Sequence, residues 1–275
     1  MYRSQGNFLS TIPPVTRILL IINVVLFFVS PLIGRFLHWD LGSNLSLRNL
    51  ESDFFQPYQL ISHMFMHGGL GHLFFNMFGL YLFGRVLESV LGSKKFFILY
   101  FVSGLAAAFL QLGANSLQIH KLVSAIAELN VLPTAEAFWQ LAQKYHFDTA
   151  PEVKSLAQNW MNDPDAAGYF QQAMVMCQRM VFTMENAQMV GASGAVLGIL
   201  AAFAVLFPNV ELMIIFFPVP IKAKYLVPFY ALAELFFGVA NFRFDNIAHF
   251  AHLGGAIAGF LLVWYWKKNH IRPVY

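Results

Sequence analysis

The chain has 275 residues, 58% hydrophobic and 11% charged, with 30 phenylalanines and a formal net charge of +3. Soluble domains average about 45–50% apolar and about 25% charged, so this is a membrane composition. The positive residues are not gathered into a patch, which argues against nucleic acid as a partner, and the single cysteine, Cys177, excludes an intrachain disulfide and stands in no nucleophile motif.

Taken in chain order, long apolar runs mark six candidate spans at 16–36, 69–90, 94–113, 192–208, 222–241 and 250–267. The first lacks a small-residue cleavage site and has further spans behind it, so it reads as retained rather than as a signal peptide. Residues 37–68 carry Trp39, Phe54, Phe55, Tyr58 and Pro57, which suits a half-buried interfacial segment. Residues 114–188 form a long insertion with a helical, amphipathic and acidic pattern. A helix is expected around Leu117–Leu129, another opened by Thr134 and Glu136, and others with Pro151 and Pro164 in their first turns, the last around Ala166–Phe182. The insertion is either a tolerated loop elaboration or an element that contacts substrates outside the membrane. Phe138, Trp139, Trp160 and Tyr169 are its aromatics for such contacts or for a small core of its own.

Basic residues set the orientation. With the N-terminus inside, the inner segments hold Arg3, Arg17, Arg85, Lys94, Lys95, Lys222, Lys224, Lys267, Lys268 and Arg272, so both termini are expected to be cytoplasmic. Spans two, four and six then run from outside to inside, and their starts share one leaflet. Polar residues cluster at those starts: His72 and Asn76, Ser193, and His252. The fourth span, Ser193 to Phe207, reaches roughly 22 Å at about 1.5 Å per residue, short of the roughly 30 Å hydrocarbon core. Its start is therefore expected to be sunk in a wet cavity.

Polar and ionisable side chains are costly in hydrocarbon and read as functional by default. Gly191-Ala192-Ser193-Gly194 puts a hydroxyl at a helix start among small residues. There, unpaired N–H groups can meet developing negative charge, although the same pattern serves as a packing face. His252 supplies a base, and Gly255 and Gly259, at i+3 and i+7, flatten its face for contact with another helix. His249 is the competing base, one turn away. His72 and Asn76, four apart, project from one face and can donate to an oxyanion together with the Ser193 N–H. A metal role for His72 lacks a second ligand pair with suitable spacing, His63 and His67 lying in the preceding loop, so no metal or cofactor is expected. No carboxylate is placed to orient His252: Asp245 falls in a loop, and Glu234, inside span five, reads as a structural hydrogen bond or a substrate gate. Glu88, near the inner end of span two, snorkels or caps loop donors.

These motifs resemble those of the rhomboid family of intramembrane serine proteases: H-x-x-x-N at His72 and Asn76, G-x-S-G at Gly191–Gly194, and A-H-x-x-G at Ala251–Gly255, with the approach from His67 to Gly84 and Glu88 also similar. The resemblance covers nearly all of the chain except 114–188. It implies an all-α, six-transmembrane-helix bundle over 1–275; the extracytoplasmic helical insertion 114–188 between spans three and four, read from the residues, is longer than the corresponding loop of compact bacterial members. It also implies Ser193 as nucleophile, His252 as general base and an oxyanion hole from His72, Asn76 and the Ser193 N–H, with Gly191, Gly194, Gly255 and Gly259 packing closely. One departure is Leu197, where many members carry a tyrosine that packs on the catalytic histidine. The expectation is a Ser–His dyad endopeptidase in a bacterial inner membrane that cleaves helix-destabilised transmembrane segments of other membrane proteins. A non-catalytic binder or chaperone of membrane helices is the alternative.

Overall fold

The computed structural model describes residues 11–214, 217–240 and 247–269. Arg3, Asp245 and Arg272 lie outside the described residues. The protein is mostly helical (77%).

Helix α1 (Pro14–Leu37) starts with proline at its first position, where a missing N–H costs nothing. Two short helices follow. In α2 (Leu41–Leu45) the Asp40 side chain accepts from the Ser43 N–H at 3.0 Å, and α3 (Gln59–Ser62) runs into a 3-10 turn at His63–Phe65. Helix α4 (Leu70–Gly79) passes through a π-helical turn at Leu80–Gly84 into α5 (Arg85–Leu91). Helix α6 is Ser93–Val131. Then come α7 (Ala135–Lys144), α8 (Pro151–Asn162), α9 (Tyr169–Glu185) and α10 (Ser193–Leu206). A two-stranded antiparallel hairpin, β1 (Glu211–Ile214) and β2 (Phe217–Lys222), precedes α11 (Ala223–Ala240) and α12 (His249–Asn269).

Among the described residues, four helical stretches are long and apolar enough to cross a membrane: Pro14–Leu37, Leu70–Leu91, Ser93–Val131 and Ala223–Ala240. The apolar helix Ser193–Leu206 is shorter. Large apolar side chains stand exposed along α1 and α11, among them Phe28, Leu32, Phe36, Phe229, Leu232 and Phe236. Helix faces of this kind suit lipid rather than water.

The sequence expectations are corrected at three places. The helix that begins span three does not stop near 113: α6 continues to Val131, because the stretch after Gly113 holds no proline and is rich in helix formers. Pro164 does not open a helix. The chain turns there, with the Ala166 N–H donating to the Asp163 carbonyl, and α9 begins only after Gly168, whose φ is +100°. The hairpin is an addition to the all-helical expectation. Pro218 and Pro220, two residues apart, both lack backbone donors and together strongly disfavour a helix there, whereas strands at a sheet edge accept them. Glu211 opposite Lys222 sets a favourable cross-strand pair.

The chain forms two compact units, divided at Leu47/Arg48, Phe55/Gln56, Gln111/Leu112 and Ala187/Gln188. The first unit has a core of Leu80, Leu87, Phe96, Leu99, Tyr100, Ile199 and Val263. The second, residues 48–55 and 112–187, has its own core of Leu122, Phe138, Leu156, Trp160, Cys177 and Met180. Thr134 caps α7 through the Ala137 N–H at 3.1 Å, and Pro151 opens α8. Phe138 and Trp160 are buried against each other with ring centroids 6.4 Å apart, and Trp139 and Tyr169 pack on the same core. These four aromatics thus contribute to the core of the second unit. Burial pushes the Cys177 thiol up to about 11, far from a reactive thiolate.

Candidate active site

The site lies wholly in the first unit, and its backbone frame comes first. Residues leading into α10 are held extended. Met189 and Leu47 exchange backbone hydrogen bonds of 2.8 and 2.9 Å as an isolated bridge, and the Gly191 N–H donates to the His63 carbonyl at 2.9 Å. Gly191 has φ +124°, and a Cβ there would sit 2.7 Å from the His72 ring. Only glycine accepts both conditions. Ser193 is the first residue of α10, and Ala192 before it offers no side-chain cap. The opening N–H groups of this helix therefore lack intrahelical partners.

Glycines then set the depth of contact between α10 and α12. A Cβ on Gly198 would lie 2.8 Å from the Gly255 carbonyl oxygen, one on Gly255 would collide with the Gly194 carbonyl, and one on Gly259 would collide with that of Gly198. With the backbones touching, the side chains beside the seam meet. The Ser193 hydroxyl and His252 Nε2 are 2.9 Å apart. The other ring nitrogen, Nδ1, is 3.0 Å from Glu234 Oε1 on α11. The second carboxylate oxygen, Oε2, is 2.5 Å from His249 Nδ1. Ser193 is half-buried, and Glu234 and His249 are buried.

This corrects the expectation that no carboxylate reaches His252. Glu234 sits between two imidazoles, 15 and 18 residues from them in sequence. A signal for it existed: an acid in an apolar helix needs donors, and His249 and His252, three apart on one helix, share a face that one carboxylate can bridge. The Tyr230 hydroxyl, one turn earlier on α11, meets the same carboxylate. Leu197, one turn after Ser193, lines a small apolar cavity with Tyr230, Glu234 and His252.

His72 and Asn76 both lie on α4, which packs against α10. His72 stands over Gly191. Asn76 is buried, and its Nδ2 finds no hydrogen-bond partner among the described residues, an uncommon state for a buried donor. His67 packs edge-on against His72, ring centroids 5.1 Å apart. His63 Nδ1–H donates to the Gln59 carbonyl, 2.8 Å away. Burial pushes both His63 and His67 down to about 4, the His72 ring adding to the effect at His67, so both are neutral at pH 7. A second small cavity, lined by His63, Gly104, Ala107, Gly191, Ser193 and Ala251, opens beside the hydroxyl.

Glu234, His249 and His252 also bring three potential ligand atoms within 4.8 Å of one another. Hydrogen bonds already account for this cluster, since the carboxylate accepts from both rings. Chemically, the arrangement offers a hydroxyl with an imidazole acceptor, a carboxylate behind that imidazole, and nearby an amide donor that has no partner among the described residues.

Several apolar helices able to span a bilayer, with a polar cluster buried among the helices, define a polytopic membrane protein. The Rhomboid domain family matches residues 55–124 and 167–269, and the chain belongs to that family. It is an integral membrane protein. The match leaves out 125–166, which falls in the second unit. Among relatives, an uncharacterized mitochondrial rhomboid protein of Schizosaccharomyces pombe is 24% identical over 282 residues, covering 94% of this chain and 68% of its own length. Mitochondrial rhomboid protein 1 of Saccharomyces cerevisiae is 26% identical over 209 residues, covering 76% of this chain and 42% of its own length. A candidate rhomboid protease of Bacillus subtilis is 36% identical over 102 residues, covering 36% and 49%. The chain thus spans less than half the length of two of these three.

Proposed function

We propose that the protein is an intramembrane serine endopeptidase that cleaves transmembrane segments of other membrane proteins. Membership of the rhomboid family points to a serine protease. The observation that carries the reading onto this chain is the 2.9 Å contact between the Ser193 hydroxyl and His252 Nε2, within the reach that an activated nucleophile needs.

In this reading Ser193 Oγ attacks the scissile carbonyl and His252 Nε2 takes its proton. The oxyanion is met by the Ser193 N–H, His72 and the Asn76 amide, whose Nδ2 has no other partner among the described residues. His252 then gives the proton to the leaving amide nitrogen, and water releases the acyl-enzyme by the reverse sequence. Side chains and water complete the chemistry. A helix hydrogen-bonds its own backbone, so substrates are segments that unwind locally, with glycine, alanine or proline near the site.

The proposed architecture has six spans, adding α10 and α12 to the four long apolar helices, with residues 114–188 as a helical extracytoplasmic insertion in one rhomboid domain. The 14 residues of α10 reach roughly 21 Å, less than the about 30 Å core, which supports a recessed, wet start for this helix. Both termini lie on the side bearing Arg17, Arg85, Lys94, Lys95, Lys267 and Lys268. Two of the three relatives are named as mitochondrial and the third is bacterial, so the proposal fixes orientation by charge and not one organelle.

The test is cleavage of a model transmembrane substrate by the protein in lipid vesicles. Wild type should cleave, and Ser193→Ala and His252→Ala should not. A membrane-helix binder would instead hold the substrate intact in all three.

A further inference from the structure

We infer that Glu234 is a positioning residue that converts the Ser193–His252 pair into a Ser193–His252–Glu234 relay, with His249 holding the carboxylate from its other side. This rests on the protease reading above and adds a third member to it.

Four observations support it. The first is connectivity. Ser193 Oγ, His252 Nε2, His252 Nδ1 and Glu234 Oε1 form an unbroken chain of contacts at 2.9 and 3.0 Å. The second is the use of both carboxylate oxygens, Oε2 facing His249 Nδ1 at 2.5 Å. A carboxylate gripped from both ends cannot swing away from His252. The third is the character of α11. Its buried residues are Ala223, Val227 and Glu234, while its large apolar side chains point outward. The inward carboxylate is therefore no by-product of core packing. The fourth is Leu197: one turn after Ser193, α10 offers no hydrogen-bonding side chain to hold the imidazole, and the holding group comes from α11 instead.

The chemical consequence concerns the tautomer. A neutral imidazole carries its proton on either nitrogen. A carboxylate at Nδ1 keeps the proton there and leaves the Nε2 lone pair facing the Ser193 O–H. When Ser193 attacks, the Oγ–C bond forms, the serine proton moves to Nε2, and the ring becomes an imidazolium beside a carboxylate. Glu234 takes no proton. As the C–N bond breaks, the Nε2 proton passes to the leaving amide nitrogen. Glu234 thus acts mainly in the transition state, through His252, without touching substrate.

The experiment compares wild type, Glu234→Gln, Glu234→Asp, Ser193→Ala and His252→Ala in vesicles carrying one transmembrane substrate. Turnover of wild type and the Glu234 variants is expressed per molecule that finally reacts with a fluorophosphonate, that of Ser193→Ala and His252→Ala per molecule of folded protein, and thermal unfolding is followed in parallel. Glu234→Gln presents an amide whose N–H₂ can face Nδ1 and fix the wrong tautomer. It should lower kcat at least a hundredfold with KM within threefold, and slow fluorophosphonate labelling of Ser193 to match. Glu234→Asp keeps the charge on a shorter arm and should recover at least tenfold of the kcat lost by Gln, while staying at least tenfold below wild type. A structural role alone would lower the reactive fraction and leave kcat per reactive molecule unchanged in both. If Glu234→Gln does not fold, the Asp variant decides: wild-type kcat in it overturns the inference. Inactive Ser193→Ala and His252→Ala with a fully active Glu234→Gln overturn the relay while leaving the protease reading intact. A Ser193→Ala protein that still cleaves overturns the protease reading itself.

Discussion

Glu88 and Glu234 are both buried carboxylates in the first unit, 2% and 6% exposed, yet their surroundings differ in kind. Glu88 gathers donors from the start of α1: the Val15 N–H at 2.9 Å, the Thr16 N–H at 2.7 Å and the Thr16 hydroxyl at 2.7 Å, with the Ser93 hydroxyl at 2.7 Å completing the set. Two are backbone groups of a helix start whose own N-cap, Pro13, provides no side-chain bond. Glu88 supplies the missing cap from far along the chain, and a negative charge there also suits the helix dipole. Glu234 gathers two imidazoles and a phenol. The donors at Glu88 are fixed hydrogens that hold elements together. Those at Glu234 are rings that can gain and lose protons, one of them against a hydroxyl. Burial alone does not distinguish the two acids; the proton chemistry of their partners does, and it is on this that the proposed role of Glu234 rests.

Neutralising each acid in turn should separate the two roles most widely. Glu234→Gln should cost at least about a hundredfold in kcat per reactive molecule, by the disturbance of a held imidazole, whereas Glu88→Gln should leave kcat per folded molecule within about twofold. Equal kcat losses would erase the distinction. Next in size is Asn76→Ala. It removes a buried donor with no other partner among the described residues, and turnover should fall about a hundredfold with little change in KM. A pure KM effect would remove Asn76 from the oxyanion hole. Glu88→Ala strands four donors and should cost about 2 kcal/mol of stability in chemical unfolding, with normal kcat in the molecules that remain folded. The smallest effect lies in the second unit. Cys177 is fully buried with its thiol pushed up to about 11, so maleimide should modify it slowly in the folded protein and readily after unfolding. Fast modification of folded protein would show that this core is open.

How much of this was legible in the sequence depends on the range of the interaction. The long apolar helices could be read from hydropathy, because lipid imposes length and composition directly. Local caps could be read too: Thr134 ahead of α7 and Pro151 at the start of α8 act within one turn of themselves. The glycines at 255 and 259 marked a face built for close approach. Other features were not legible. The full reach of α6 was missed because a hydrophobic window ends where polarity begins, not where the helix ends. The hairpin was missed because an apolar run with prolines can be a span edge or a strand. Glu234 was the largest loss. Its two partners sit on another helix, and reading one helix at a time shows a lone acid where three dimensions show a bridge between His249 and His252.

The chemistry proposed for this site requires Ser193 to be a nucleophile activated by His252. Labelling the vesicle-embedded protein with a fluorophosphonate, and locating the adduct by mass spectrometry, tests it most directly. The expected result is one adduct on Ser193, nearly abolished by His252→Ala and only partly slowed by His249→Ala, which loosens Glu234 without removing the base. An adduct elsewhere, or labelling of Ser193 unchanged in His252→Ala, would contradict the claim.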